Sequence, residues 1–280
     1  MNTLKIIVVN ILMLTIQAFA QYAPDFVDDK IIGKVKSIKE TGYELNDRFG
    51  KMVKGKFQGY TIKNYNDRGD LTEQNKYGAD NKLQYKIKCT YKYDTQGNKI
   101  EHDFYSKDGK LSTIYKLKFN DKKQNIESSS YSADGRFCAK IINKFDNRGN
   151  VVEECSYSSN GKIIQKNIYR FDEHNNLKEV NNFDMNGQLT SRDTYTYDNH
   201  NNKTNHTSKL TDGNVNSSNN FSYKYDSFGR KIEERCKEFN SINKYEYDKK
   251  NNWVKLEHYD YENGYPIYVE ERKIEYAKND

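Results

Sequence analysis

Phe145-Asp146-Asn147-Arg148-Gly149-Asn150 is the stretch to which this sequence keeps returning. Aligned copies begin at Tyr65, Tyr93, Phe119, Phe145, Phe171, Tyr197, Tyr225 and Tyr247, at steps of 28, 26, 26, 26, 26, 28 and 22 residues. A fixed period of roughly 20–50 residues marks a repeat architecture, in which each copy is one small structural unit. A second motif sits 12 residues after each aromatic, as in Tyr105-Ser106-Lys107-Asp108-Gly109-Lys110-Leu111, with copies at Tyr77, Tyr131, Tyr157 and Phe183. Each repeat is therefore two punctuation marks separated by two short runs.

Both marks have turn chemistry. Asp94-Thr95-Gln96-Gly97 and Asp146-Asn147-Arg148-Gly149 place Asp first and Gly fourth. The Asp carboxylate can bond its own backbone two residues on, and the fourth position can take the positive φ of a three-residue hairpin loop. Where Gly is missing, Asn175, Asn201 or Asn251 replaces it, and Asn tolerates that conformation best after Gly. Lys123 breaks the rule, so a distorted turn is expected there. Three-residue loops place each opening aromatic opposite the residue six positions on. The second motif then pairs Tyr105 with Leu111 and Tyr157 with Ile163. The first pairs Phe145 with Val151, but also Tyr93, Tyr197 and Tyr225 with Lys99, Lys203 and Lys231.

The separations 6, 12 and 26 are even, and even spacing in strands returns a side chain to the same face. On that count Phe145, Val151, Tyr157, Ile163, Tyr169, Phe171, Leu177, Phe183, Leu189, Tyr195 and Tyr197 share one face. The expected fold is all-β: a long antiparallel meander of about 16–18 strands built from 26-residue hairpin repeats. It should form a twisted open sheet or partial shell.

Residues 1–20 read as a secretory signal peptide: Lys5, an apolar run from Ile6 to Ile16, and a small-x-small site at Ala18-Phe19-Ala20. That run is too short for a lasting membrane span. The protein is expected to be secreted or periplasmic, with no transmembrane segment after cleavage. Residues 21–64 are read as capping strands (Ile32–Ser37, Tyr43–Asn46 and Met52–Tyr65), and residues 65–280 as the repeat array with a short C-terminal cap. The chain has 46 basic and 40 acidic residues, a net charge of +6 and only 35% hydrophobic residues, but 24 Tyr and 13 Phe. Tyrosine bodies must supply the apolar area while their hydroxyls stay wet. A disordered chain lacks both such aromatics and such a period.

The Tyr-Asp-x-x-Gly-Asn pattern of Tyr93-Asp94-Thr95-Gln96-Gly97-Asn98, and the related Tyr225-Asp226-Ser227-Phe228-Gly229-Arg230, resembles the YD repeats of Rhs-type and teneurin-type proteins. The resemblance runs from about Tyr65 to Tyr265. The N-terminal block also resembles small exported repeat proteins of Bacteroidetes-like bacteria. The resemblance implies an antiparallel β-shell with a loose association with sugar binding. At 280 residues the chain is far shorter than such a shell, so an open curved sheet is expected.

Candidate chemistry is sparse. Face counting sets Cys138 opposite to Cys155, leaves Cys89 and Cys155 on one face in different repeats, and isolates Cys236, so four free thiols are expected. His174 and His200 occupy equivalent turns but lack further ligands for a metal. There is no nucleophile–base set or phosphate-cradling glycine loop, so neither an enzyme nor a cofactor is expected. The remaining lead is the aromatic rail of Tyr195, Tyr197, Tyr223, Tyr225, Tyr245 and Tyr247, interleaved with lysines. Such rings could stack on sugars; the plain alternative is that they form the sheet's core. Stacking plus cations also suits single-stranded nucleic acid, which export argues against. The expected function is a non-enzymatic module binding a polysaccharide or cell-surface protein. The alternative is a structural or protein-interaction module of the cell envelope that uses an exposed sheet edge.

Overall fold

The computed structural model describes residues 31–49, 51–211, 218–236 and 238–277. The signal-peptide reading of residues 1–20 lies outside them. The described residues form eighteen strands. These are β1 (Val35–Arg48), β2 (Lys51–Tyr65), β3 (Leu71–Gly78), β4 (Leu83–Tyr93), β5 (Lys99–Tyr105), β6 (Leu111–Phe119), β7 (Asn125–Ser132), β8 (Phe137–Phe145) and β9 (Val151–Ser158). They continue as β10 (Ile163–Phe171), β11 (Leu177–Asp184), β12 (Leu189–Tyr197), β13 (Lys203–Leu210), β14 (Ser218–Tyr225), β15 (Lys231–Cys236), β16 (Ser241–Tyr247), β17 (Trp253–Asp260) and β18 (Pro266–Tyr276).

Each strand pairs antiparallel with the next, and β1 also pairs with β18, Ile38 opposite Ile274 and Tyr43 opposite Val269. The meander is therefore closed into a barrel, not an open sheet or partial shell. The N-terminal block has no open edge to cap, because β1 is hydrogen-bonded on both sides. Two of its expected strands merge into β1. Gly42, which reads as a break, lies at a bulge where an added Cβ would overlap the Tyr268 ring. At ~4.8 Å per strand, eighteen strands make a wall ~86 Å around and at least ~27 Å across, wide enough to enclose an open interior. Interstrand contacts run between hydrogen-bonded neighbours around the ring.

The hairpin register agrees with the six-residue rule at every motif: Tyr93 faces Lys99, Phe145 faces Val151, Tyr105 faces Leu111 and Tyr157 faces Ile163. The turns repeat one geometry. In the copy at Phe145, the Gly149 N–H donates to Asp146 O at 3.2 Å and the Asp146 N–H to Asn150 O at 2.9 Å. Asp146 Oδ1 accepts from the Arg148 and Asn150 N–H groups. The turn at Lys123 is not distorted: its N–H donates to Asn120 O at 2.9 Å, and Lys123 itself adopts φ 59°.

The single-face reading fails, and the reason is local. One residue after the opposed pair, the register slips by one, as between Lys144 and Phe145 against β9. The skipped residue, here Val152, is a bulge, and a bulge reverses the parity beyond it. Phe145 thus lies on the face of Asn143 and Glu154, whereas Tyr157 pairs with Lys140 on the face of Lys144 and Glu153. First-motif aromatics occupy one face of the wall and second-motif aromatics the other.

Burial tells the faces apart. In β12, half-buried Asp193, Tyr195 and Tyr197 alternate with exposed Thr194 and Thr196. In a closed, curved wall inward side chains crowd and outward ones splay, so the first-motif aromatics face the interior. The outer face carries a ring of cross-strand ion pairs near the first-motif turns. It includes Lys118–Glu127 at 2.8 Å, Lys144–Glu153 at 2.7 Å, Arg170–Glu179 at 3.4 Å and Lys224–Glu233 at 2.7 Å. In the last repeat the signs exchange, with Lys255 on β17 bonding Glu246 on β16 at 2.9 Å.

All four cysteines are free, with Cys89, Cys155 and Cys236 buried and Cys138 exposed. The register corrects their faces. Cys89, level with Tyr91, points inward, Cys155 points outward, Cys236 shares the inner face of Tyr223, and Cys138 is itself a bulge residue.

Candidate functional site

The six candidate tyrosines come from three neighbouring upward strands, two each from β12, β14 and β16. Alternation sends both members of each pair to the interior and sends Thr196, Lys224 and Glu246 between them to the outside. The lysine interleaved with tyrosines in the sequence is therefore not the one that meets their rings. The ring-contacting lysines are the turn partners Lys203 and Lys231. Lys203 Nζ lies 4.6 Å from the Tyr223 centroid and 5.6 Å from that of Tyr195. Lys231 Nζ lies 4.8 Å from Tyr245 and 5.9 Å from Tyr223. Arg230 covers Tyr247 at 5.1 Å. The result is an alternating row, Tyr195, Lys203, Tyr223, Lys231, Tyr245, along the inner wall.

Sequence reasoning missed the row's other members. His206 of β13 lies opposite Tyr195 and stacks on it at 4.6 Å and 15°, and Phe221 of β14 stacks on the far side at 5.1 Å and 13°. His206 Nε2 lies 3.0 Å from Asp193 Oδ1. Burial works against the Asp193 carboxylate, but hydrogen bonds from His206 and Ser208 outweigh it and leave its pKa below the ordinary value. Burial likewise opposes the Lys231 ammonium; Tyr245 and Glu234, the latter 2.7 Å away, more than restore it. The only available signal was the i+6 rule, which already set Lys203 and Lys231 opposite tyrosines.

The six tyrosines are not equivalent. Tyr197 Oη donates to Leu177 O at 2.7 Å, and Tyr247 Oη donates to Lys231 O at 2.7 Å. Tyr91 makes the same bond to the Leu71 carbonyl. These hydroxyls staple one hairpin to the preceding first-motif turn. Tyr195, Tyr223 and Tyr225 make no such bond among the described residues. Burial pushes Tyr195 up to about 12 and raises Tyr197, Tyr223, Tyr225 and Tyr247. Their hydroxyls are therefore protonated donors at neutral pH.

His174 and His200 lie in successive turns, their N–H groups donating to Asp172 and Asp198. A rim pocket of about 500 Å³ is lined by His174, Lys178, Tyr195, Tyr197, Asp198 and Asn201, among others, and does not include His200. Among the described residues no group of His, Cys, Asp and Glu has the makings of a metal site.

No family model matches the sequence, and no curated protein matches it. Solved structures do. A porin-like protein from Bacteroides uniformis aligns over 88% of this chain and 99% of its own, at 10% identity and a TM-score of 0.44. The TcdB2–TccC3 structure aligns over 81% of this chain at 12% identity and a TM-score of 0.38. This chain spans 16% of that one.

Proposed function

We propose that this chain is an exported, non-enzymatic binding protein that holds a carbohydrate against its inner wall at Tyr195, Tyr223, Tyr225 and Tyr245, with Tyr197 and Tyr247 bracing them. The observation that carries this reading is the alternating inner row of phenols and ammonium groups, bordered by Asp193, His206 and Glu234. The ring faces are largely taken by His206, Lys203 and Lys231, so ring edges and hydroxyls meet a ligand. That arrangement suits a polyhydroxylated molecule recognised by hydrogen bonds, since sugar hydroxyls both give and accept them. The YD-like motif adds support through the sugar association of such repeats. Export rests on the reading of residues 1–20.

The outer wall supports a barrel standing in water. Lysine or arginine on a lipid-facing wall costs about 2–4 kcal/mol at mid-membrane, and Lys116, Lys140 and Lys166, set back from the first-motif turns, lie on that outer wall. Closure also removes the exposed edge on which a strand-adding protein partner would build, which favours the carbohydrate reading over the envelope-interaction module.

The test is binding of the mature protein, residues 21–280, to neutral and acidic polysaccharides at low and high salt. Saturable binding to at least one polymer, weakened about tenfold or more by Tyr223→Phe with the fold intact by circular dichroism, is expected. The reading fails if nothing binds across the panel, or if Tyr195→Ala/Tyr223→Ala leaves binding unchanged.

A further inference from the structure

The two ends of the barrel differ. First-motif turns and the described chain ends lie at one end, and second-motif turns at the other. Among the described residues eleven large apolar side chains are exposed, and of these only Ile32, Phe228 and Ile232 belong to the first-motif end. The other eight sit at or beside the second-motif end, on six of the nine strand connections there: β1–β2, β9–β10, β11–β12, β13–β14, β15–β16 and β17–β18. Met185, Phe239 and Tyr265 are exposed by 60% or more, and Phe49 is fully exposed.

Phe49 tips an arm. The β1–β18 pairing stops at Glu44, while Leu45–Arg48 continue to pair with Lys51–Lys54 of β2. The hairpin overhangs the rim and carries Phe49 between Arg48 and Lys51, with exposed Met52 next to Lys51. Above this end the outer face bears the second-motif aromatics as a belt. Lysines lie over two of them, Lys116 over Tyr131 at 5.2 Å and Lys140 over Tyr157 at 5.4 Å, and over two further tyrosines of the same face, Lys54 over Tyr43 at 4.9 Å and Lys244 over Tyr259 at 4.1 Å. Higher still, the wall turns to ion pairs.

We infer that the second-motif end is a membrane-docking rim, which seats the barrel upright on a phospholipid surface carrying anionic headgroups. Apolar tips spaced around a hollow ring ~27 Å across can all be covered at once by a flat, yielding surface. A tyrosine belt with overlying lysines suits the headgroup layer, where amphipathic rings and snorkelling cations are both satisfied. Arg48 and Lys51 supply the charge attraction that interfacial anchors combine with apolar insertion. The ion-paired ring limits the depth, so the barrel rests in the interface without spanning it.

Cosedimentation of residues 21–280 with vesicles of phosphatidylcholine alone, or mixed with phosphatidylglycerol, tests this. The mixed vesicles should carry the protein down, and phosphatidylcholine alone should do so at least about tenfold less well. Phe49→Ser/Met52→Ser and, separately, Met185→Ser/Tyr265→Ser should each weaken binding about tenfold or more. Phe228→Ser, at the opposite end, should leave it unchanged. Melting curves check that each variant folds. The inference is overturned if neither vesicle binds, if Phe228→Ser matters as much as the rim variants, or if the apolar rim proves to mediate a dimer that rim variants abolish.

Discussion

At the scale of single residues, tyrosine does two jobs on the inner wall. Its body covers the backbone of the neighbouring strand, and its hydroxyl either staples hairpins together or stays available. The Tyr197 bond reaches Leu177 O beyond the last β11–β12 ladder pair, Glu179 opposite Thr194. Tyr197→Phe should therefore cost about 1 kcal/mol, read as a lowered midpoint in thermal or urea unfolding. Tyr223→Phe should leave stability nearly unchanged while weakening ligand binding. That all six candidates share one face follows from alternation before each first-motif turn and was legible in the sequence; that this face is the interior depends on closure. Their cationic partners were legible only in part: the six-residue spacing set Lys203 and Lys231 opposite Tyr197 and Tyr225, but nothing in it said that their ammonium groups reach over Tyr195, Tyr223 and Tyr245.

At the scale of the element, the hairpin is the unit and the turn its most legible part. Asp at the first position and Gly or Asn at the fourth announced both loop length and register. Lys123 shows how strongly the ladder imposes the turn: it holds a left-handed conformation with an unsuited side chain. Lys123→Gly should stabilise the protein by about 0.5–1 kcal/mol, seen as a raised melting temperature. The parity error came from the residue after each opposed pair. Ile100, Ile126, Val152 and Ile232 broke the expected alternation in the sequence, and all four are bulge residues, skipped where the register slips. Their out-of-phase aliphatic character was the sign that the strand resets there.

The same element carries the outer ion pairs, which couple the wall to pH. Lys144 and Lys166 hold the Glu153 carboxyl down to about 2, and Arg235 and Lys224 do the same for Glu233, against an ordinary value of 4.5. A depressed carboxylate contributes stability that is complete above the ordinary value and disappears as pH falls towards the folded one. Melting temperature should thus hold from pH 7 to about 5 and fall steadily between about 4.5 and 2. High salt should shrink the change, because these pairs lie at the surface. A melting temperature flat through that window would remove the ring from the account.

At the scale of the whole molecule, the decisive fact is closure. Period, turn chemistry and strand count were legible because they are written locally and repeated. Closure was not, because nothing in a 26-residue repeat says that the last strand meets the first. It depends on residues outside the repeat: Glu40, which bonds Arg272 at 2.7 Å and Lys63 at 2.9 Å, and Gly42, which makes room for Tyr268. Closure turns one face of a sheet into an interior and makes the tyrosine row an enclosed surface.

The most direct test is a distance. Spin labels at positions 39 and 273, in a background with Cys89, Cys138, Cys155 and Cys236 replaced by serine, would sit on opposed residues of β1 and β18. Pulsed electron paramagnetic resonance should return a single distribution below about 20 Å, since opposed Cα atoms lie about 5 Å apart and the label arms add the rest. A separation of several tens of ångströms, as an open sheet of eighteen strands requires, would contradict the barrel and with it the enclosed site.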